Sequence, residues 1–290
     1  MEPHRLLALY HSMVMARAID RRLWTSRVSG FEGVQVAAAA ALRPGTDWVV
    51  PNPNDLALCL AVGLSPLDFM LSPEDFSSRS ARIVTTSGLS GTHIVHAAGI
   101  AYASKLRGLD EVTLASTGHR STDSGDWHEG LNFAAVHRLP LVCLVQDNLA
   151  RASAVPGQRA ADVIGMRAAG YGMAGESIDG TDFQAALETL TRAVDRARAG
   201  EGPTLVHAMV VELTSLTPRG SRRTQEQLEA MSNQDPIEKM RRRLYASQLL
   251  DDTTDDQVQR DCISVVEAAI EQAGSADPAE PAAALDNVFQ

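Results

Sequence analysis

Val112-Thr113-Leu114-Ala115-Ser116 and Leu141-Val142-Cys143-Leu144-Val145 are two short apolar runs. Between them lie a polar loop, Gly118 to Gly125, and a helical stretch, Asp126 to His137. A run of five apolar or small residues bounded by turn residues reads as a strand buried on both faces. A strand, a helix and a second strand in succession predict a parallel pair with a covering helix. The same alternation continues downstream. Residues 161–170 read as a short helix, Glu176-Ser177-Ile178 as a weak strand, Phe183 to Ala199 as a helix and Thr204 to Val211 as a strand. Ligands of such sheets bind at the carboxyl ends of the strands. The loops after Ser116, Val145 and Val211 are therefore the expected place for chemistry.

Upstream, apolar residues at helical spacing predict a helix over residues 4–27, and Val34 to Leu42 is Ala-rich and helical. Pro51-Asn52-Pro53-Asn54 is too rich in Pro and Asn for regular structure. Residues 55–70 read as one helix, 71–82 as a Ser-rich loop and Gly91 to Leu106 as a small-residue helix. Residues 148–160 and 214–224 read as loops. Helices are expected at 225–231, 236–248 and 254–273, before an Ala/Pro/Asp-rich tail. The expected division is an α/β unit over residues 1–230 with a helical C-terminal arm, residues 231–290, attached to it.

The chain has 290 residues and a formal net charge of −10. That acidity argues against a nucleic-acid binder, which needs a basic face, and against adhesion to an anionic membrane. The apolar runs fall short of the ~20 residues of a membrane helix. The three cysteines, Cys59, Cys143 and Cys262, lack metal-ligand spacing and read as reduced thiols of a cytoplasmic protein. A Gly-x-Ser-x-Gly elbow and a Gly-rich nucleotide loop are both absent from the sequence.

The stretch from Gly118 through Asn148, with Asp126-Trp127-His128-Glu129-Gly130-Leu131-Asn132-Phe133-Ala134-Ala135 at its centre, resembles a known family. So do Met15-Ala16-Arg17-Ala18, Glu32-Gly33-Val34-Gln35-Val36, Ala168-Ala169-Gly170-Tyr171-Gly172 and Ile178-Asp179-Gly180. Arg196 to Leu205 and Asp235-Pro236-Ile237-Glu238 extend the match, which runs from about residue 5 to 275. The family is the alpha subunit of the decarboxylating component of 2-oxo acid dehydrogenase complexes, of the pyruvate and branched-chain type. The resemblance implies a three-layer thiamine-diphosphate-binding α/β fold with a mostly parallel sheet. It also implies thiamine diphosphate with Mg²⁺ as cofactor, a beta subunit completing the site and a lipoyl-domain protein as acyl acceptor.

The motif that should hold that cofactor is altered. The family pattern opens Gly-Asp-Gly and closes Asn-Asn about thirty residues later. Here it opens Gly118-His119-Arg120 and closes Asp147-Asn148. His119 is a poor substitute for an oxygen ligand of a hard cation. The family's Arg after the first strand is missing from Pro53-Asn54-Asp55-Leu56, a second Arg is matched by Glu212, and an active-site His by Leu216. A unit charge pair at 4 Å is worth roughly 4 kcal/mol at an effective dielectric near 20. Losing two Arg and a dication removes most of the attraction for diphosphate. No metal ligand set and no catalytic residue are assigned.

Four residues are candidate cofactor-binding groups: His119, Arg120, Asn148 and Arg151. His119 and Arg120 form a metal-free anion site with Arg151, or they are solvated loop residues. Asn148 is a former cation ligand or a turn residue. His128 and Glu129 read as packing and subunit contacts, or as acid–base groups. His93 and His96, at i and i+3, either face one way or pack within the helix. Arg219, Arg222 and Arg223 either contact an acidic partner or form a solvated face. Asp251, Asp252, Asp255 and Asp256 read as helix-start acids. Three functions stay open: a working alpha-type subunit, a non-catalytic paralogue serving assembly or regulation, and a binder of another anionic small molecule. A homo-oligomer and a hetero-oligomer with a beta-like subunit are both compatible.

Overall fold

The computed structural model describes residues 2–23, 29–73, 77–85, 90–148, 163–213, 229–230 and 232–277. Five strands form one fully parallel sheet in the order β1-β2-β3-β5-β4. They are β1 Trp48–Val50, β2 Thr113–Gly118, β3 Leu141–Asn148, β4 Ala174–Asp179 and β5 Thr204–Val210. The chain steps from β1 through β3 toward one edge, crosses to the far edge for β4 and returns with β5 between them. That return makes the C-terminal ends of β3 and β5 adjacent, with Asn148 in register with Val210.

Helices cover both faces. α1 Pro3–Leu23, α2 Glu32–Ala41, α3 Leu56–Val62, α4 Pro66–Leu71, α7 Phe183–Arg198, α8 Pro236–Ala246 and α9 Asp252–Ser275 belong to one layer. α5 Thr92–Leu106, α6 Gly125–Val136 and a 3-10 segment, Ile164–Tyr171, cover the other. Alternation along the strands sorts the side chains between layers. Leu114, Val142, Leu144, Val206 and Ala208 enter the first layer. Ala115, Leu141, Cys143, Val145 and Leu205 enter the second. With both faces buried, the strands read as continuous apolar runs rather than alternating ones.

Local signals set the ends of the helices. Ser124 Oγ accepts from Trp127 N at 3.3 Å and caps α6. Asp182, Asp235 and Asp251 cap α7, α8 and α9 through their side chains. The expected helix over 55–70 is two helices instead. Gly63, at φ +119°, ends α3 in the left-handed region, and Ser65-Pro66 starts α4. The strands run further than the apolar residues predict. β2 continues through Gly118 and β3 through Asn148, because ladder bonds to neighbours extend past the apolar run. The polar loop after β2 is largely a 3-10 turn, His119–Asp123.

α8 and α9 pack on α1 and share its core cluster. Asp255 is more than a helix-start acid. It is buried, accepts from Tyr10 Oη at 2.6 Å and pairs with Arg241 at 2.6 Å, tying α9 to α1 and α8. A groove of about 350 Å³ lies between α1, α8 and α9, lined by Val14, Arg21, Ile237, Gln259 and Ile263 among others. Among the described residues, no helix is long and apolar enough to cross a membrane. The loops expected over 149–160 and 214–224, and most of the helix expected at 225–231, lie outside the described residues.

Candidate functional site at the strand ends

The C-terminal ends of β2, β3 and β5 bring together residues that are far apart in sequence. Asp147, next to last in β3, is buried. Its Oδ2 contacts His207 Nε2 of β5 at 3.1 Å, and its Oδ1 contacts His119 Nδ1 at 3.4 Å. The second contact is at the outer edge of hydrogen-bond range. His207 Nδ1 lies 3.4 Å from Ser177 Oγ of β4. A chain of polar contacts thus links β4, β5 and β3 to the turn that follows β2.

One residue on, Asn148 Nδ2 donates to Glu212 Oε2 at 2.7 Å, and Glu212 N donates back to Asn148 Oδ1 at 3.4 Å. Both residues are buried, at 4% and 7% exposure. Asn148 is therefore the last residue of a strand and not a turn residue. Its carboxamide is engaged at both ends by the chain leaving β5.

Beneath this pair is a second buried cluster. Gln146 Nε2 donates to Asp55 Oδ1 at 2.7 Å and to Ser116 Oγ at 2.6 Å. Gln35 Nε2 of α2 donates to Gln146 Oε1 at 3.0 Å and Asp55 Oδ1 at 3.2 Å. Asn52 N donates to Asp55 Oδ2 at 2.7 Å. Burial pushes the Asp55 carboxyl up to about 6, against the opposing hydrogen bonds from Ser116, Gln146 and Asn52.

The floor of the site is anchored from behind. Arg17 Nε of α1 donates to Glu32 Oε1, and its other nitrogens donate to Asp235 at 3.0 and 3.2 Å. Burial opposes the Arg17 charge, but Glu32 and Asp235 outweigh it and hold the guanidinium protonated. Burial raises the Glu32 carboxyl, and Arg17 opposes that shift. Glu32 Oε2 accepts from Gly30 N at 2.7 Å. Gly30 sits at φ +104° with no room for a side chain, because a Cβ there would lie 1.8 Å from Val211 O. Leu213 N donates to Ser29 O at 3.0 Å. The chain leaving β5, Glu212 included, is thereby held against residues 29–30.

The predicted site residues separate accordingly. His119 joins Asp147, and Asn148 joins Glu212. Arg120 is exposed and makes no ion pair or hydrogen bond among the described residues. Arg151 lies outside them, as do Arg219, Arg222 and Arg223. His93 and His96 do not face one way. His93 is buried, donates from Nε2 to Ser116 O at 3.0 Å and has its protonation disfavoured by burial, whereas His96 is exposed. His128 Nδ1 contacts Tyr171 Oη, and Glu129 is exposed. Gln35, Asp55, Gln146 and His207 were not singled out from the sequence. Gln35 and Asp55 stand at helix starts, Gln146 near the end of β3 and His207 in the middle of β5, positions that carry little signal without the pairing order.

Among the described residues, the strand ends offer nitrogen groups beside their oxygens. Mg²⁺ requires near-octahedral oxygen ligands. Here the Asp147 carboxylate is flanked by two imidazoles, and the Asn148 carboxamide is paired with a carboxylate. Among the described residues, no group of three or more His, Cys, Asp or Glu is arranged to hold a metal. Asp147 and Glu212 bring two buried acidic side chains to the ends of β3 and β5.

Residues 9–282 match the model of the dehydrogenase E1 component. The chain is 34% identical to the 2-oxoisovalerate dehydrogenase subunit alpha of Bacillus subtilis, covering 97% of this chain and 94% of that one. It is 28% identical to the pyruvate dehydrogenase E1 component subunit alpha of Staphylococcus aureus, covering 94% and 79%. Among solved structures, benzoylformate decarboxylase from Polynucleobacter necessarius aligns with a TM-score of 0.43 at 15% identity, over 62% of this chain and 33% of that longer one. The chain belongs to the dehydrogenase E1 component family and is an alpha-subunit-like protein of the 2-oxo acid dehydrogenases.

Proposed function

We propose that this chain acts as an alpha-type subunit alongside a beta-like subunit, with its binding of magnesium and diphosphate impaired. In this reading it serves assembly or regulation rather than supplying a cofactor-charged site of its own. The reaction class of the assembly is oxidative decarboxylation of a 2-oxo acid, with a lipoyl-domain protein as a further partner and the cytoplasm as its location. The observation that carries the reading is the engagement of Asn148 by Glu212. It is reinforced by the two imidazoles beside Asp147, a setting that suits a hard, oxygen-seeking cation poorly.

One observation favours a second reading, a metal-free site for another anionic molecule. Arg120 is exposed at the strand ends beside His119 and is unpaired among the described residues. Arg151 would complete such a site.

Calorimetric titration of thiamine diphosphate with and without Mg²⁺ tests both, on the chain alone and with its beta-like partner. The expected result is a stable complex with the partner and no metal-dependent binding. Micromolar, Mg²⁺-dependent binding would refute the impaired reading. Binding that ignores Mg²⁺ and disappears in Arg120→Ala would establish the second.

A further inference from the structure

We infer that Ser177, His207 and Asp147 form a cofactor-independent site that hydrolyses a small, activated carboxylic ester. This activity is independent of the reading above. The sheet brings the three residues together. Ser177 and His207 are register partners on β4 and β5, so their side chains share a face. Val145 is the partner of His207 on β3, and Asp147 lies two residues beyond it, on that same face. His207 Nε2 meets Asp147 Oδ2 at 3.1 Å, and Nδ1 meets Ser177 Oγ at 3.4 Å. His207 and Asp147 are buried, whereas Ser177 is exposed on the edge strand of the sheet. A carboxylate thus holds the imidazole inside the protein, and the other ring nitrogen faces a hydroxyl that solvent reaches. With the Nε2 proton directed at Asp147, Nδ1 carries the lone pair that takes the Ser177 proton. A separation of 3.4 Å is long for such a pair, as is common before substrate is bound. The constellation is defined by geometry and roles, so it does not require a Gly-x-Ser-x-Gly elbow.

The surroundings suit the chemistry. A Cβ at Gly165 would lie 2.6 Å from Ser177 Oγ and 3.4 Å from His207 Cβ, so the glycine leaves the pair its space. Among the described residues β4 has a neighbour on one side only, and its free edge offers backbone N–H groups to an oxyanion. The three cysteine thiols do not compete as nucleophiles, because they are buried and burial raises each of them. In the reaction Ser177 Oγ bonds to the ester carbonyl carbon while His207 Nδ1 takes the hydroxyl proton. The bond from that carbon to the alcohol oxygen breaks, and the imidazolium gives the proton to the leaving alkoxide. Water then attacks the acyl-serine, with His207 taking its proton and returning one to Ser177 Oγ as the carboxylic acid leaves. The hydroxyl lies on an exposed strand edge, so a small acyl group and a good leaving group define the substrate class.

The test uses the full chain with 4-nitrophenyl acetate and, separately, with a fluorophosphonate that labels activated serines, the labelled peptide being identified by mass spectrometry. The expected result is hydrolysis faster than the uncatalysed reaction, with the label on Ser177. Ser177→Ala and His207→Gln should each lower hydrolysis at least about tenfold and abolish the label. Circular dichroism checks the fold of both variants. Ser177→Ala removes one exposed hydroxyl and keeps the test decisive where the buried substitution unfolds the chain. Hydrolysis that survives Ser177→Ala, a label on another residue, or wild type that neither takes the label nor exceeds the uncatalysed rate would overturn the inference. Full labelling of folded His207→Gln would overturn the role of the imidazole.

Discussion

Gly30→Ala is the substitution with the clearest expected cost, because backbone and packing penalties coincide there. Gly30 adopts φ +104°, a conformation that costs an L-residue about 1–3 kcal/mol. A Cβ would lie 1.8 Å from Val211 O and 3.2 Å from Leu213 Cγ. The first distance is far inside van der Waals contact and the obstacle is backbone, so either residues 29–31 or the exit of β5 must move. Overpacking of this kind costs typically about 1–3 kcal/mol more. Lower entropy of the unfolded chain returns about 0.4–1 kcal/mol. The expected net loss is therefore about 1–6 kcal/mol. Gly108→Ala is the matched control. It also has positive φ, at +65°, but a Cβ there meets nothing within 4 Å, so only the backbone cost applies. Urea unfolding of both variants, followed by far-ultraviolet circular dichroism, measures the difference. Gly30→Ala must be the worse by at least about 1 kcal/mol. Equal losses would show that the wedge between Gly30 and Val211 is not rigid. The account of how the Glu212 segment is anchored would then fail.

Asp55 gives a pH dependence of defined sign. Its carboxyl titrates near 6 in the fold against an ordinary 3.8, so the folded chain holds the proton more tightly than the unfolded one. The stabilisation is complete below about pH 4 and is lost as pH rises through about 6. The gap corresponds to about 3 kcal/mol. The stability of wild type relative to Asp55→Asn should accordingly fall by about that amount between pH 4 and pH 7, and a pH-independent difference would contradict the burial argument. Glu32→Ala should cost about 3–5 kcal/mol in chemical denaturation, because it strands the buried Arg17 guanidinium with Asp235 alone. A loss below about 1 kcal/mol would mean that water reaches Arg17.

Much of the fold was legible from one dimension because its signals are local. The apolar runs at 113–116 and 141–145 reported burial on both faces of a sheet. Asp251 reported a helix start through a hydrogen bond from Thr254 N, three positions on. Gly63 was the failure among local signals. Its left-handed φ divides a stretch whose apolar content reads as continuous helix. The replacements at His119, Arg120 and Glu212 were visible because each stands at a position the family resemblance identifies.

The amino-acid sequence by itself determined the parallel α/β alternation and the family. Only the tertiary structure decided what the replacements do to one another. Asp147 meets His207, and Asn148 meets Glu212, because β5 inserts between β3 and β4, and Asp147 meets His119 because β2 lies on the other side of β3. That strand order depends on the summed burial of both helical layers and not on any residue near the site. Partners 60 to 64 positions apart share no local signal, so their pairing exists only once the sheet has closed.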